Sequence, residues 1–350
     1  MKDIDIIELT IQELHKKYAL GVWSAEDFIN HCLRRLEAYD AFYNAFISIN
    51  SRALEDARSL DQRRECGERM GPLAGIPIIV KESIDVAGLP STAGWEVFSK
   101  DVGGIEIIPK MDAPVIKRLR NAGAIIIGKG NIPAFSLDSV RADSSWAGPT
   151  YNAVDRKMVP GGSSSGVATA VAAGFVMLGL AGETMGSIQD PAAAQAIVGI
   201  KPTFGLVPTT GAVPIGGSTV DVLGPHSRTV RDAAIMLNVI AGYEFSDPKT
   251  TASVGNIPSA GYVDQLSRTA LKGKRIGLYG ISWCNRSLPH NVQSLYDAAI
   301  HVISEQGAVL VADPFEGSDF SSLAPVKGVL GRGTGQESIA YDLNKYAENL

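Results

Sequence analysis

The sequence predicts an α/β fold, because strand-like and helix-like segments alternate along most of its 350 residues. Residues 73–81 form an apolar, β-branched run bounded by glycine and proline, which is typical of a strand. Residues 113–122 have the apolar spacing of a helix, and 124–128 are typical of the next strand. Lys81 therefore ends or closely follows a strand.

The segment before this strand is mainly helical. Residues 10–39 show helical apolar spacing in two pieces, which predicts two amphipathic helices. Ser24 is placed as the N-cap of the second helix, with Asp27 three residues on as its reciprocal partner. A strand-like run at 45–49 and a charged helical stretch to about residue 69 follow.

The alternation continues after this strand. A helix is predicted from about residue 164, leading into a buried strand that ends near residue 181. Residues 243–264 are rich in Ser, Thr, Gly and Pro and indicate a surface connection. Strands at 274–279 and 308–311, with a helix at 291–306 between them, form a second block whose strands could join the first sheet.

Composition excludes several classes of function. Lysine and arginine number 32 against 37 acidic residues, so a nucleic-acid partner is not expected. The three cysteines, Cys32, Cys66 and Cys284, fit neither a disulfide framework nor a metal site and favour a reducing, cytoplasmic setting. The acidic start of the chain is not that of a signal peptide, and the longest apolar stretch, 167–181, is too short for a membrane span.

A lone lysine, Lys81, follows the apolar run Pro77-Ile-Ile-Val. A serine nucleophile needs a neighbouring base, which is usually a histidine or a deprotonated lysine. To act as a base, Lys81 would need a pKa about 3 below its ordinary value, which burial can provide. The alternative is a side chain that reaches the surface from the strand end.

The segment Gly161-Gly-Ser-Ser-Ser-Gly166 combines flexible glycines with three hydroxyls. It precedes an Ala- and Val-rich helix, which favours a site at the start of that helix over a flexible linker. It also matches the G-x-S-x-G elbow of α/β-hydrolases, which requires a preceding strand and a later histidine. Residues 155–160 are not strand-like, and His226, His290 and His301 lack a matched acid.

Further on, Thr184-Met-Gly-Ser187 follows the predicted buried strand. Successive backbone amides in this segment could face an oxyanion, with Ser187 beside them. A plain turn between a strand and a helix would also use a glycine here.

Together these segments resemble the amidase signature family. The likeness runs through residues 160–166, Gly186-Ser187 and 199–207, and it covers most of residues 7–242. The resemblance implies an α/β amidase-signature fold with a central mixed β-sheet flanked by helices on both faces. It also implies a single domain over 1–350, with a signature core at 7–242 and a partial C-terminal region at 265–350, part of the family fold being missing.

The resemblance assigns roles to three side chains. Lys81 is the base, Ser163 is the bridging serine after a cis peptide bond to Gly162, and Ser187 is the nucleophile that becomes acylated. The backbone N–H groups of Thr184, Met185, Gly186 and Ser187 form the oxyanion hole. The implied reaction is hydrolysis of a small-molecule linear carboxamide through an acyl-serine, without metal or organic cofactor.

Four positions depart from the family pattern near this site. Met185 stands where a glycine is usual, Gln189 where arginine is usual, Glu183 where aspartate is usual and Ala134 where glutamate is usual. We expect these changes to reshape or slow the site.

Two other functions remain open at this point. A catalytically impaired member could bind a ligand through the old cleft, and an amidotransferase A-type subunit would pass ammonia to a partner enzyme. The chain ends near a helix-like segment, 337–346, that lies well inside longer family members. If the missing part covers apolar surface, we expect a homodimer or an exposed patch.

Overall fold

The computed structural model describes residues 6–216, 220–280, 287–320 and 338–348. The chain separates into two compact units, Met1–Val263 with Gly335–Leu350, and Asp264–Thr334. A single domain over residues 1–350 stays a prediction. Cys284 and residue 337, on which two sequence-based expectations depend, lie outside the described residues.

The helices and strands alternate along the chain as the sequence predicts. In chain order they are α1 (Ile11–Ala19), α2 (Ala25–Tyr43), β1 (Phe46–Ile49), α3 (Ala53–Glu65), β2 (Pro77–Lys81), α4 (Pro114–Asn121), β3 (Ile125–Gly130), α5 (Ser165–Ala172), β4 (Leu178–Glu183), α6 (Gln189–Ala194), β5 (Val198–Gly199), β6 (Val222–Ser227), α7 (Val230–Ile240), β7 (Arg275–Gly277), α8 (His290–Glu305), β8 (Val309–Val311) and α9 (Ile339–Ala347).

The start of α2 is fixed by the predicted capping box. The Ser24 hydroxyl accepts a 2.9 Å hydrogen bond from the Asp27 N–H, and the Asp27 carboxylate accepts one of 3.1 Å from the Ser24 N–H. These two bonds satisfy N–H groups that have no partner within the helix.

The first unit contains a six-stranded sheet with the order β1-β3-β2-β4-β6-β5. Strand β2 runs parallel to β3 and β4, whereas β1 is antiparallel to β3 and β6 is antiparallel to both β4 and β5. The sheet is therefore mixed, and the predicted α/β fold with a central mixed sheet is confirmed.

The parallel pairing of β2 and β4 positions the site. Every residue of β2 and β4 is buried, as expected for central strands of a sheet covered by helices. Val80 pairs with Leu180, so the carboxyl ends of the two strands lie side by side. The first ends at Lys81 and the second at Glu183. In α/β sheets, this edge commonly carries the functional groups.

The second unit has a sheet of its own. Strands β7 and β8 pair in parallel with each other, with α8 between them in the chain. The expectation that these strands could join the first sheet is wrong. Each is only three residues long and takes the other as its partner, while the first sheet ends at β1 and β5.

Across the described ranges, none of the helices is both long enough and apolar enough to cross a membrane.

Candidate active site

Lys81 is the last residue of β2 and is only 3% exposed. Its Nζ donates hydrogen bonds of 2.8 Å to Ser163 Oγ and 2.8 Å to the carbonyl oxygen of Gly182. The alternative in which this side chain reaches the surface is wrong, because the amine is enclosed between β4 and the serine-rich segment.

Burial also sets the charge of this amine. Desolvation lowers the pKa of Lys81 to about 7, although the carboxylates of Asp221 and Glu183 act in the opposite direction. A substantial fraction of the amine is therefore unprotonated near neutral pH. An unprotonated amine next to a hydroxyl can accept its proton.

The segment 161–166 is part of the packed interior. Its three serines are fully buried, and the Gly162–Ser163 peptide bond is cis. At Gly166 a Cβ would collide with the carbonyl oxygen of Ala45, so the start of α5 packs directly on a neighbouring backbone. A flexible linker is therefore excluded.

The elbow interpretation fails in the structure. Residues 153–160 form bends and turns, with no strand among them. His226, on β6, is fully buried, and its Nε2 is 2.8 Å from the carbonyl oxygen of Ile188, the residue after Ser187. Burial lowers the pKa of His226 to about 4, so the ring is neutral near pH 7 and is held by the backbone.

Ser187 lies in the turn between β4 and α6 and is half-buried. Its hydroxyl makes no hydrogen bond with any residue that the structure describes. The structure thus brings Lys81 and Ser163 into contact, whereas a Ser163–Ser187 hydrogen bond is not found within the described ranges.

Glu183 stabilises the C-terminal end of the turn that carries Ser187. Its Oε2 accepts hydrogen bonds from the N–H groups of Ile188, at 2.8 Å, and Gln189, at 3.1 Å. The side-chain amide of Gln189 donates to Glu183 Oε1 at 2.7 Å. The glutamine therefore keeps contact with this carboxylate, as a hydrogen bond instead of a charge pair.

Asp221 stabilises the N-terminal end of the same turn, at Thr184. Its Oδ1 accepts a 2.6 Å hydrogen bond from the Thr184 hydroxyl, and its carboxylate also accepts from the N–H groups of Ile215, at 2.9 Å, and Gly216, at 3.0 Å. Sequence reasoning missed this residue. Its sole signal is an acid directly before a strand, which many surface residues share.

The backbone at residues 184–187 lies between the contacts made by Asp221 and Glu183, and its N–H groups are available for binding. The N–H groups of Thr184, Met185, Gly186 and Ser187 donate no hydrogen bond to any residue that the structure describes. Gly186 has φ of +99°, and a Cβ there would meet the Asp190 carboxylate, so the turn requires glycine.

Two of the unusual residues are not fully buried: Met185 is exposed and Ala134 is half-buried. The Met185 side chain is 56% exposed, so it extends towards solvent. Ala134 starts a short 3-10 turn, where its N–H donates a 3.1 Å hydrogen bond to Ser144 Oγ. A slower or reshaped site stays a prediction.

Within the described ranges, no group of three or more His, Cys, Asp or Glu residues is arranged to hold a metal ion. A reaction without metal or cofactor stays a prediction.

Comparison with known proteins identifies related sequences. The family model named Amidase matches residues 27–327. The chain is 35% identical over 306 residues to the glutamyl-tRNA(Gln) amidotransferase A-type subunit of Alkaliphilus metalliredigens, covering 87% of this chain and 60% of that protein. It is 39% identical over 304 residues to the protein of that name from Chloroflexus aggregans, covering 87% and 59%. The chain thus spans about three fifths of the length of these curated relatives.

Solved structures give the same result. The peptide amidase of Stenotrophomonas maltophilia superimposes with a TM-score of 0.83 at 31% identity, covering 97% of this chain and 68% of that one. An amidase family protein of Bacillus anthracis has a TM-score of 0.79 at 33% identity, covering 88% and 61%. With the family model matching most of its length, the chain belongs to the amidase signature family.

Proposed function

We propose that this chain hydrolyses a linear carboxamide through an acyl-serine, with Lys81 as base, Ser163 as relay and Ser187 as nucleophile. The observation that carries the proposal is the 2.8 Å hydrogen bond between Lys81 Nζ and Ser163 Oγ, made by a buried amine with a pKa of about 7. Burial supplies the unprotonated amine that the reaction needs at neutral pH.

The first half of the reaction forms the acyl-serine. Unprotonated Lys81 takes the proton of Ser163, which takes the proton of Ser187 while Ser187 Oγ bonds to the amide carbon. The C–N bond then breaks, and the departing nitrogen receives the proton back through Ser163. This relay requires the Ser187 hydroxyl to come within hydrogen-bond reach of Ser163.

The second half regenerates the serine. Water attacks the acyl carbon and gives a proton to the same relay, the ester C–O bond breaks, and Ser187 regains its proton. In both halves the carbonyl oxygen becomes negatively charged. The N–H groups of Thr184, Met185, Gly186 and Ser187 are proposed to bind it, each such donor commonly contributing about 3 kcal/mol.

The test is an acylating probe with intact-mass readout. A fluorophosphonate should add one adduct to the purified chain, and peptide mapping should place it on Ser187. The variant Ser187→Ala should not label, while Ser165→Ala, which changes a buried serine of the same region, should still label. Labelling elsewhere, or none, would favour the catalytically impaired binding protein.

A second candidate is an amidotransferase A-type subunit, favoured by the curated relatives that carry this name at 35% and 39% identity. Such a subunit would release ammonia from an amide donor for use by a partner chain. Measuring ammonia release from glutamine and from C-terminal peptide amides separates the two. Turnover of glutamine alone would favour the amidotransferase role, and turnover of peptide amides the free-standing amidase.

A further inference from the structure

A small cavity lies outside the candidate active site, on the first unit. Its volume is about 30 Å³, and its polar lining includes Ser48, Glu82, Thr92, Asp101, Glu106 and the indole of Trp146. We call it the acid-lined cavity. A volume of this size holds one or two water-sized guests, since a single water needs about 10–15 Å³.

Two oxygens of this lining are buried without a partner. Ser48 Oγ and Glu82 Oε2 make no hydrogen bond to any described residue, and Glu82 is 1% exposed. Such groups in a packed interior normally have a partner, because leaving one unsatisfied costs about 1–3 kcal/mol. Two of them on one cavity indicate a polar guest.

The other carboxylate oxygen of Glu82 is engaged. Glu82 Oε1 accepts a hydrogen bond from the Thr92 N–H and lies 4.0 Å from the ammonium of Lys129. That ammonium donates its own hydrogen bonds elsewhere, to the carbonyl oxygen of Pro90 at 2.7 Å and to Ser91 Oγ at 2.8 Å. The positive charge of Lys129 therefore lies near Glu82 Oε1 and does not contact Glu82 Oε2.

Negative charge exceeds positive charge around the cavity. Ser91 Oγ, which accepts a hydrogen bond from Lys129, donates one of 2.8 Å to Asp85 Oδ1. The Lys129 ammonium therefore lies near two buried carboxylates, that of Asp85 through Ser91 and that of Glu82 directly. In the lining itself, Asp101 is a further acid. The Lys100 ammonium there lies 3.7 Å from Glu106, so it offsets that charge. Lys100, Asp101 and Glu106 are exposed, so the buried charges are those of Glu82, Asp85 and Lys129. Burial raises the pKa of the Glu82 and Asp85 carboxyls, and a cationic guest beside Glu82 would favour its ionised form.

We propose that the acid-lined cavity binds one monovalent cation of ammonium or potassium size, held by Glu82 Oε2 and Ser48 Oγ. Oxygen ligands suit such hard cations. Divalent ions are disfavoured because Mg²⁺ usually keeps several waters, and because the nearby Lys129 ammonium repels a double positive charge more strongly than a single one. The binding is independent of the proposed hydrolysis, so either can fail without the other.

Thermal unfolding of the purified chain provides the first test, in nitrate salts of ammonium, potassium, sodium and tetramethylammonium at equal ionic strength. Because a ligand that binds only the folded state raises Tm, we expect saturable increases of about 2 °C or more with ammonium and potassium. Tetramethylammonium, which is too large for the cavity, should give none. Equal Tm values in all four salts would mean water alone and would overturn the proposal.

Variants of the two proposed ligands test whether the cation that raises Tm binds in the acid-lined cavity. Glu82→Gln and Ser48→Ala should remove or weaken the cation-dependent rise, while Glu68→Gln, which removes an exposed acid elsewhere, should leave it intact. A rise that persists in Glu82→Gln would overturn the assignment. The assignment would also be overturned by a Tm that changes with pH and is the same in every salt. That result would mean that a proton, and not a cation, neutralises Glu82.

A second measurement uses the unaltered cavity, in case Glu82→Gln does not fold. The thallous ion matches potassium in charge and size and quenches indole fluorescence on contact. Because Trp146 lines the cavity, thallous nitrate should quench its emission saturably, and ammonium should reverse this. The saturable part should be absent from Trp146→Phe. Linear quenching that ammonium does not affect would contradict the proposal.

Discussion

The Lys81 amine and the Ser163 hydroxyl lie 2.8 Å apart inside the first unit, where strand β2 ends beside β4. The second partner of the amine, the carbonyl oxygen of Gly182, belongs to β4 itself. The sheet register therefore places the amine, while the segment before α5 supplies the hydroxyl. Neither partner carries a charge, so nothing in direct contact offsets the loss of hydration that lowers the pKa of Lys81.

This pKa predicts the pH dependence of turnover. The amine accepts a proton only when it is unprotonated, so kcat/KM should rise with pH through about 7 and then level off. The measurement is kcat/KM for a non-ionising amide from about pH 5.5 to about 9. A rate that is constant over this range would contradict the role of Lys81.

Replacing the amine tests the same group in two ways. Lys81→Met should lower kcat by about 10²–10⁴-fold, the usual contribution of a general base. It should also change stability: between the folded pKa of about 7 and the ordinary pKa of 10.5, the unfolded state binds a proton that the folded state does not. Wild-type stability therefore rises with pH in this window.

The variant lacks this rise, because methionine does not titrate. Denaturant unfolding at about pH 7 and about pH 10 measures the effect, and wild type should gain stability relative to Lys81→Met at the higher pH. An equal difference at both values would mean that the lysine has an ordinary pKa in the folded protein.

The parts of the fold that sequence predicts are those with local causes. The N-cap at Ser24 depends on Asp27 three residues away, and the apolar run before Lys81 identifies β2 wherever its neighbours lie. These features are visible without knowledge of long-range contacts. The separate sheet of the second unit was not predicted, because strand pairing depends on residues far apart in the chain.

The same distinction holds for the site. The contact between Lys81 and Ser163 spans 82 residues and was anticipated only through resemblance to a family. The bond from Thr184 to Asp221 spans 37 residues and has no sequence pattern of its own. Residue spacing carries no information about such pairs, so an aspartate at the start of a strand gives no sign that it anchors a turn.

Asp221 should act as a positioning residue for the turn at residues 184–187, whose N–H groups are proposed to bind the oxyanion. Asp221→Asn weakens the hold on Thr184 and removes a negative charge that raises the pKa of Lys81. We expect kcat to fall about tenfold, since a misaligned oxyanion-hole donor loses only part of the roughly 10²–10³-fold that removal of a whole donor costs. The midpoint of the pH profile should also move to lower pH, because the charge that favours protonated Lys81 is gone.

Thr184→Val is the matched control. It removes the hydrogen bond to Asp221 but keeps the charge, so kcat should fall while the midpoint of the pH profile stays in place. A midpoint that moves equally in both variants would show that Asp221 does not act on Lys81 through its charge.

The hydrogen bond between Gln189 and Glu183 offers a test by gain of function. Glu183 is 4% exposed and accepts from the exposed Gln189 amide at 2.7 Å, and it also holds the end of the turn that carries Ser187. Gln189→Arg would replace a neutral donor by a guanidinium, whose bonds to carboxylates are roughly twice as strong. Because the turn is then held more firmly, we expect kcat/KM to rise a few-fold and Tm to increase.

The variant Gln189→Glu is the matched control, because glutamate has nearly the same shape as glutamine. It places a second carboxylate against Glu183 and should lower both kcat/KM and Tm. If arginine and glutamate at this position give the same kcat/KM, the contact between residue 189 and Glu183 has no influence on the turn.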